Sequence, residues 1–119
     1  MPIKLHDAEL KIMEILWQHG EATAKHLAEV LAATIGWKKT TTYTMLKRCV
    51  EKGAVARHDP GFVCRPLITL EEARAYETGK LISKLYNGAG MQLAASLLSG
   101  NLLTRDEIER LKQMVREME

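Results

Sequence analysis

The sequence has few aromatic residues and lacks any long apolar run, and these shortages exclude several classes of protein. Phenylalanine, tryptophan and tyrosine together make up 5% of the 119 residues. No apolar stretch approaches the roughly 20 residues of a membrane-spanning helix, and no basic segment followed by an apolar one opens the chain. We therefore expect a cytoplasmic protein, without membrane insertion, built from one or two small domains.

Cysteine is also scarce, since the chain has only Cys49 and Cys64. Neither they nor the four histidines show metal-ligand spacing, so we expect no metal and no cofactor. We expect two buried thiols, with a disulfide as the alternative. No nucleophile–base arrangement or phosphate-binding glycine loop is present. The carboxylate pairs Glu71-Glu72 and Asp106-Glu107 lie where helices are predicted to start, so we expect no enzyme.

Acidic residues are rare between positions 38 and 65. Seven lysines and arginines are opposed there only by Glu51 and Asp59, whereas eight acids meet seven basic residues from Leu70 onward. The whole chain has a formal net charge of only +2. Positive potential is therefore concentrated in one segment, which favours a polyanionic partner over the alternative of a merely solvated face.

This basic segment predicts a helix followed by a β-hairpin. The helix spans Lys38–Lys52 and is closed by Gly53. Two strands, Ala54–His58 and Phe62–Pro66, follow it and are joined by the turn Asp59-Pro60-Gly61. This is the second half of a winged helix-turn-helix, in which the first helix of the pair precedes and the hairpin forms the wing.

The predicted helix separates its residues by chemistry. At about 100° per residue, one face consists of Thr42, Met45, Leu46 and Cys49. The other face consists of Thr40, Tyr43, Thr44 and Lys47, with Arg48 on the border. An outer face of hydroxyls and cations suits the phosphate-lined groove of DNA. A protein-interaction module, the alternative, should carry apolar anchors on this face, where only Tyr43 qualifies.

Two helices are predicted ahead of the basic segment. The first runs from about Asp7 to His19 and stops at Gly20. The second runs from about Ala24 to Ala33, with Thr23 as its N-cap. Residues 1–68 are therefore expected to form the winged helix-turn-helix domain of a mainly α-helical protein with a small β-hairpin.

The remaining residues, 69–119, are predicted to be helical and to make a dimer. Capping boxes at Thr69–Glu72 and Thr104–Glu107 open the first and last of three helices, which end near Tyr86, Leu98 and Met118. Their apolar stripes exceed what about 50 residues can bury, so we expect pairing with a second copy. The alternative is a monomer whose tail folds back. The expected dimer contacts are Leu81, Leu85, Leu97, Ile108, Leu111, Val115 and Met118.

A series of short motifs is spread in order along nearly the whole chain. It comprises Asp7-Ala8-Glu9, Met13-Glu14-Ile15-Leu16-Trp17, Trp37, Thr40-Thr41, Thr44-Met45-Leu46-Lys47-Arg48, Lys52-Gly53-Ala54-Val55, Arg65-Pro66, Tyr86-Asn87-Gly88, Leu103-Thr104 and Glu107-Ile108-Glu109. This set resembles the penicillinase and methicillin-resistance repressors of the BlaI/MecI type. The resemblance implies a homodimeric repressor that binds a palindromic operator. It also implies that repression is relieved when a membrane sensor metalloprotease detects β-lactam and the tail of the repressor is cut.

The resemblance and the charge pattern together select the candidate site. The family's DNA-contacting positions fall on Lys38, Thr40, Thr41, Tyr43 and Arg48. The full set of expected DNA-binding residues is Lys38, Lys39, Thr40, Thr41, Tyr43, Thr44, Lys47, Arg48, Arg57 and Arg65.

The chain departs from the family pattern in three places. Lys38-Lys39 replaces the usual serine cap and proline, and the wing is shorter, with Pro60 at its tip. The position of the family's cleaved Asn-Phe bond is occupied by Ser96 and Leu97. No cysteine follows Cys64, so copper sensing by a C-terminal cysteine cluster is not expected.

Overall fold

The structure is a computed structural model that describes residues 3–119. Over these residues the chain forms six helices and three strands in the order α1 (Asp7–His19), β1 (Ala22–Thr23), α2 (Ala24–Ile35), α3 (Lys39–Glu51), β2 (Val55–His58), β3 (Val63–Pro66), α4 (Leu70–Leu85), α5 (Gly90–Ser99) and α6 (Arg105–Glu117). The chain divides into two compact units after Tyr76, inside α4. None of the described helices is both long enough and apolar enough to span a bilayer.

The first unit is built on a core shared by α1, α2, α3 and the sheet. Ile12, Leu16, Leu27 and Leu46 have no exposed surface, and Trp37 lies half-buried at the edge of this core. Full burial of one such aliphatic side chain stabilises the fold by about 1.5–3 kcal/mol. The core therefore holds α3 by one face only.

The helix ends follow local chemistry. The Thr23 hydroxyl accepts a hydrogen bond from the backbone N–H of His26 at 3.1 Å, which confirms the predicted N-cap of α2. Helix α2 ends at Ile35 rather than near Ala33, because Gly36 is the residue that adopts the left-handed conformation, with φ of 72°. The predicted bounds of α1 are confirmed, with Gly20 as its C-cap.

The sheet contains a strand that the sequence did not predict. The predicted hairpin forms as β2 and β3, but β1 pairs with the other edge of β3, which gives the antiparallel order β1-β3-β2. The registers are Ala22 opposite Cys64 and Thr23 opposite Val63. A two-residue strand has no periodicity to detect, and it forms only because β3 offers it a partner.

A buried ion pair connects α1 with the end of α3. The side chain of Glu9 is 1% exposed, and its Oε1 accepts hydrogen bonds from Lys52 Nζ at 2.5 Å and from the His6 N–H at 2.7 Å. Lys52 also donates to the carbonyl of Lys4 at 2.9 Å. The sequence gives no sign of this pairing, because 43 positions separate the two residues. Folding uses this pair to join three segments of the first unit.

The apolar side chains of the second unit are only partly buried. Every described side chain of α4, α5 and α6 retains some exposure. The predicted capping box at Thr104 is present, with the Thr104 N–H donating to Glu107 at 2.8 Å and the Glu107 N–H donating to the Thr104 hydroxyl at 3.1 Å. The box at Thr69, where α4 begins within the first unit, is also formed. Helices α4 and α6 thus begin at complete capping boxes, while the apolar stripes of all three helices stay at least partly exposed.

The Glu9–Lys52 pair should make stability depend on acid. Burial alone would raise the pKa of Glu9, but hydrogen bonds from Lys52 and the His6 backbone, with their charges, lower it below its usual 4.5. The stabilisation is therefore complete above about pH 4.5 and is lost as the pH falls through the folded pKa. We expect Glu9→Gln to cost about 1–3 kcal/mol at pH 7.

Urea unfolding followed by circular dichroism at pH 7 and pH 3.5 measures this effect. The difference in free energy of unfolding between the native protein and Glu9→Gln should be smaller at pH 3.5 than at pH 7. Glu14→Gln, an exposed change on the same helix, should show no such difference at either pH. An equal difference between the native protein and Glu9→Gln at both pH values would contradict the role given to the carboxylate.

Both cysteines are free and buried, and they should be unreactive in the folded protein. Burial, aided by the charge of Glu9, raises the pKa of Cys49 to about 12. Burial raises the pKa of Cys64 to about 11 against the opposing charge of Arg57. We expect Ellman's reagent to modify them at least ~100-fold more slowly in buffer than in 6 M guanidinium chloride, because the thiolate is the nucleophile. Rapid labelling in buffer would contradict the burial.

Candidate nucleic-acid interface

Helix α3 buries and exposes the faces that its sequence predicts. Thr42, Leu46 and Cys49 have no exposed surface, and Met45 is half-buried. The residues exposed on or beside the helix are Lys38, Lys39, Thr40, Thr44, Lys47 and Arg48, while Thr41 and Tyr43 are half-buried. The structure thus brings eight of the ten predicted DNA-binding residues onto one element.

The first turn of α3 has free backbone donors. Lys38 is the N-cap, and its side chain makes no capping hydrogen bond. Its carbonyl accepts from the N–H groups of Thr41 at 2.9 Å and Thr42 at 3.2 Å, which leaves the preceding amides without an intrahelical partner. These amides and the two lysine side chains together form a cationic helix start that favours an anion.

The fold separates the seven cations of the basic segment into paired and unpaired groups. Lys52 is paired with Glu9, Arg57 with Asp59 at 3.2 Å, and Arg65 with Glu21 at 2.8 Å. Glu21 lies outside the basic segment, so its pairing could not be counted from the local sequence. The other four of these seven cations, Lys38, Lys39, Lys47 and Arg48, have no ion pair with any described residue, and all four lie at α3.

The two arginines of the wing lie on opposite faces of the hairpin. Arg57 is opposite Cys64 in the ladder and Arg65 is opposite Ala56, and directly opposed residues share a face. The Arg57 guanidinium carbon lies 3.7 Å from the ring centroid of Phe62, which in turn contacts α3 through Tyr43. The structure therefore joins Arg57 to the α3 site and does not join Arg65 to it.

Sequence reasoning missed Phe62, although it is the only phenylalanine in the chain. Its ring meets that of Tyr43 edge to face, with centroids 5.9 Å apart and an interplanar angle of 78°. Tyr43, one of the expected DNA-binding residues, thus already packs against the wing. The one available signal was an isolated aromatic residue directly after a Pro-Gly turn.

Five of the seven predicted dimer contacts are exposed in the second unit. Leu85 is 67% exposed and Met118 is 84% exposed. Leu81, Leu111 and Val115 are also exposed, and Leu97 and Ile108 are half-buried.

The predicted cleavage position lies within α5. The Ser96 hydroxyl donates to the carbonyl of Leu93 at 2.8 Å and lies 3.1 Å from the Tyr86 hydroxyl. The bond to Leu97 is thus inside a hydrogen-bonded helix, and a protease would need this helix to open locally. No group of three or more potential metal ligands occurs among residues 3–119.

Solved structures with a similar fold include two of a penicillinase repressor. The solution structure of the DNA-binding domain of the repressor BlaI aligns with a TM-score of 0.56 and 32% identity, over 60% of this chain and 90% of that one. The Bacillus licheniformis BlaI monomeric form in complex with the blaP half-operator aligns with a TM-score of 0.54, 32% identity and the same coverage.

Sequence comparison extends the similarity to the second unit. The penicillinase repressor of Bacillus licheniformis is 29% identical over 116 residues, which covers 96% of this chain and 91% of the relative. The methicillin resistance regulatory protein MecI of Staphylococcus aureus is 27% identical over 114 residues, covering 94% and 93%. The sequence profile of the penicillinase repressor family matches residues 5–117, and this chain is therefore a member of that family.

Proposed function

We propose that this protein is a sequence-specific DNA-binding transcriptional repressor that acts as a homodimer on a palindromic operator, in a β-lactam-responsive or related circuit. The observation that carries the proposal is the set of four exposed cations without an ion pair at the start of α3 and along its exposed surface. Unpaired cations can replace the counterions of a duplex without first breaking an internal contact. The similarity to a BlaI form bound to a half-operator supports the same use of the fold.

Helix α3 supplies the groups that enter the major groove. Thr40, Thr41 and Thr44 can contact base edges through their hydroxyls and thymine through their methyls. Lys38, Lys39 and Lys47 bind phosphates, and Arg48 can donate to both acceptors of a guanine. Sequence preference then comes from the hydroxyls and Arg48, while most of the affinity comes from the lysines.

The wing adds contacts to the flanking backbone. Arg57 and Asp59 are both exposed, and exposed ion pairs are worth only about 0–1 kcal/mol. A phosphate can therefore displace Asp59 from Arg57 at small cost. Arg65 has the same chemistry with Glu21, but it lies on the other face of the hairpin, so we give it the smaller role.

A second copy of the chain completes the repressor. The exposed apolar stripes of the second unit support pairing, since large exposed apolar patches mark interaction surfaces. Two α3 helices would then enter successive major grooves about 34 Å apart. A membrane sensor protease that leads to cutting at Ser96-Leu97 would relieve repression by separating the two DNA-binding units.

A protein-interaction module remains the alternative function. It requires apolar anchors on the outer face of α3. Tyr43 is the only such residue on that face, and its ring already packs against Phe62. The geometry thus favours DNA.

Substitutions on α3 should separate base recognition from phosphate binding. Arg48→Ala should cost about 1–3 kcal/mol of operator affinity and relax preference at one base pair. Lys47→Ala should weaken binding to all duplexes alike and reduce the slope of log affinity against log salt by about 1. Fluorescence anisotropy with DNA that the protein selects from genomic fragments measures both effects.

Two substitutions in the second unit serve as charge-matched controls. Arg116→Ala and Lys84→Ala remove the same charges from exposed positions far along the chain from α3, so they should leave the salt slope unchanged. Unaltered affinity in Arg48→Ala and Lys47→Ala would reject α3 as the interface.

A charge in the stripe of α6 should separate the dimer. We expect Leu111→Asp to halve the mass measured by sedimentation velocity, because a carboxylate would have to be buried in the interface. Operator affinity should fall about 10²–10⁴-fold as the second DNA-binding unit is lost. Gln113→Asp adds the same charge on the opposite face of α6 and should stay dimeric. Equal masses for the two variants would reject this interface.

A further inference from the structure

We propose that Phe62 is a positioning residue that fixes the wing to the recognition helix α3, so that Arg57 and Lys39 meet the DNA backbone at a preset spacing. The inference rests on the DNA-binding function proposed above. It concerns a residue that makes none of the expected DNA contacts itself.

The ring of Phe62 contacts both a cation of the wing and an aromatic residue of α3. The guanidinium of Arg57 lies over the ring at 3.7 Å from its centroid. Tyr43 contacts the same ring in an edge-to-face arrangement. The Nζ of Lys39 lies 5.8 Å from the centroid of the Tyr43 ring. Cation, two rings and cation thus form a continuous series, which we call the wing stack: Lys39, Tyr43, Phe62 and Arg57.

The aromatic rings of the wing stack attract Lys39 and Arg57 without neutralising their charges. An aromatic face attracts a guanidinium or an ammonium, and an aromatic edge packs against another face. Asp59 accepts a hydrogen bond from the Arg57 Nε at 3.2 Å, which uses one of the five N–H groups of the guanidinium. A phosphate can replace this carboxylate while the Phe62 ring keeps the guanidinium in place.

The backbone of Phe62 also connects the wing to α2. Its carbonyl accepts a hydrogen bond at 3.0 Å from the N–H of Ala24, the first residue of that helix. This bond satisfies one of the amides that a helix start leaves free. Phe62 therefore contacts α2 with its backbone and Tyr43 and Arg57 with its ring.

The conformation of Phe62 is unusual for its residue type. Its φ is 50°, in the left-handed region that a bulky side chain adopts only when its surroundings hold it there. Glycine or asparagine would relieve this strain but would remove the ring. Phenylalanine keeps the ring at this position despite the strain, and the positioning role requires that ring.

The DNA-binding test compares Phe62→Leu with Phe62→Tyr. Leucine keeps an apolar side chain but removes the aromatic face, so operator affinity should fall about tenfold. Tyrosine keeps the face and should retain most of the affinity. Arg57→Ala should weaken binding in the native background and have little further effect beside Phe62→Leu, because one contact is then lost in both. Lys47→Ala, outside the wing stack, should weaken binding equally in both backgrounds.

A spectroscopic measurement tests the stack without DNA. The side-chain protons of Arg57 should resonate upfield in the NMR spectrum of the native protein because they lie over the Phe62 ring. This shift should persist in Phe62→Tyr and vanish in Phe62→Leu. Ile12→Val, a core substitution that lowers stability elsewhere in the first unit, should leave the shift and the affinity unchanged.

The outcomes separate this inference from the proposed function. DNA binding is upheld if the native protein binds operator and Lys47→Ala weakens that binding. In that case, normal operator affinity in Phe62→Leu would overturn the positioning role alone. So would a loss of affinity from Arg57→Ala that is as large in Phe62→Leu as in the native protein. Native protein that ignores duplex DNA at low salt would overturn both. A fall in melting temperature for Phe62→Leu, with unchanged affinity and unchanged Arg57 coupling, would show a merely structural residue.

Discussion

Burial of one face of α3 is the constraint on which the rest of the structure depends. Thr42, Leu46 and Cys49 are held in a core built by α1, α2 and the sheet. Because side chains on a helix repeat every 3.6 residues, burying this face turns Thr40, Thr44 and Lys47 outward. The hydrophobic effect thus orients a polar site whose own groups contribute little to folding.

Electrostatics then divide the cations between folding and binding. Lys52 is used inside the first unit, where Glu9 compensates its charge and the carbonyl of Lys4 accepts a second hydrogen bond from it. The lysines and the arginine of α3 have no such partner in the described residues, so their field extends into solvent. A buried pair of this kind adds little net stability over an apolar one, and its benefit lies in a defined arrangement of the segments it joins.

The second unit has the opposite balance. Its last helix begins at a capping box, yet apolar residues such as Leu85 and Met118 stay exposed. Short helices are marginal in water unless an apolar face is packed. Folding of this unit and pairing with a second copy are thus expected to stabilise each other, so that an unpaired second unit would be less stably folded.

The sequence by itself determined the helices, the hairpin and the outer face of α3, because periodicity, capping residues and turn residues act over a few positions. It could not reveal β1, the Glu9–Lys52 pair or the pairing of Arg65 with Glu21, since each joins segments far apart in the chain. Nor could it place Phe62 against Tyr43 and Arg57. Local chemistry therefore chose which groups face outward, and only tertiary packing decided which of them are left free to bind.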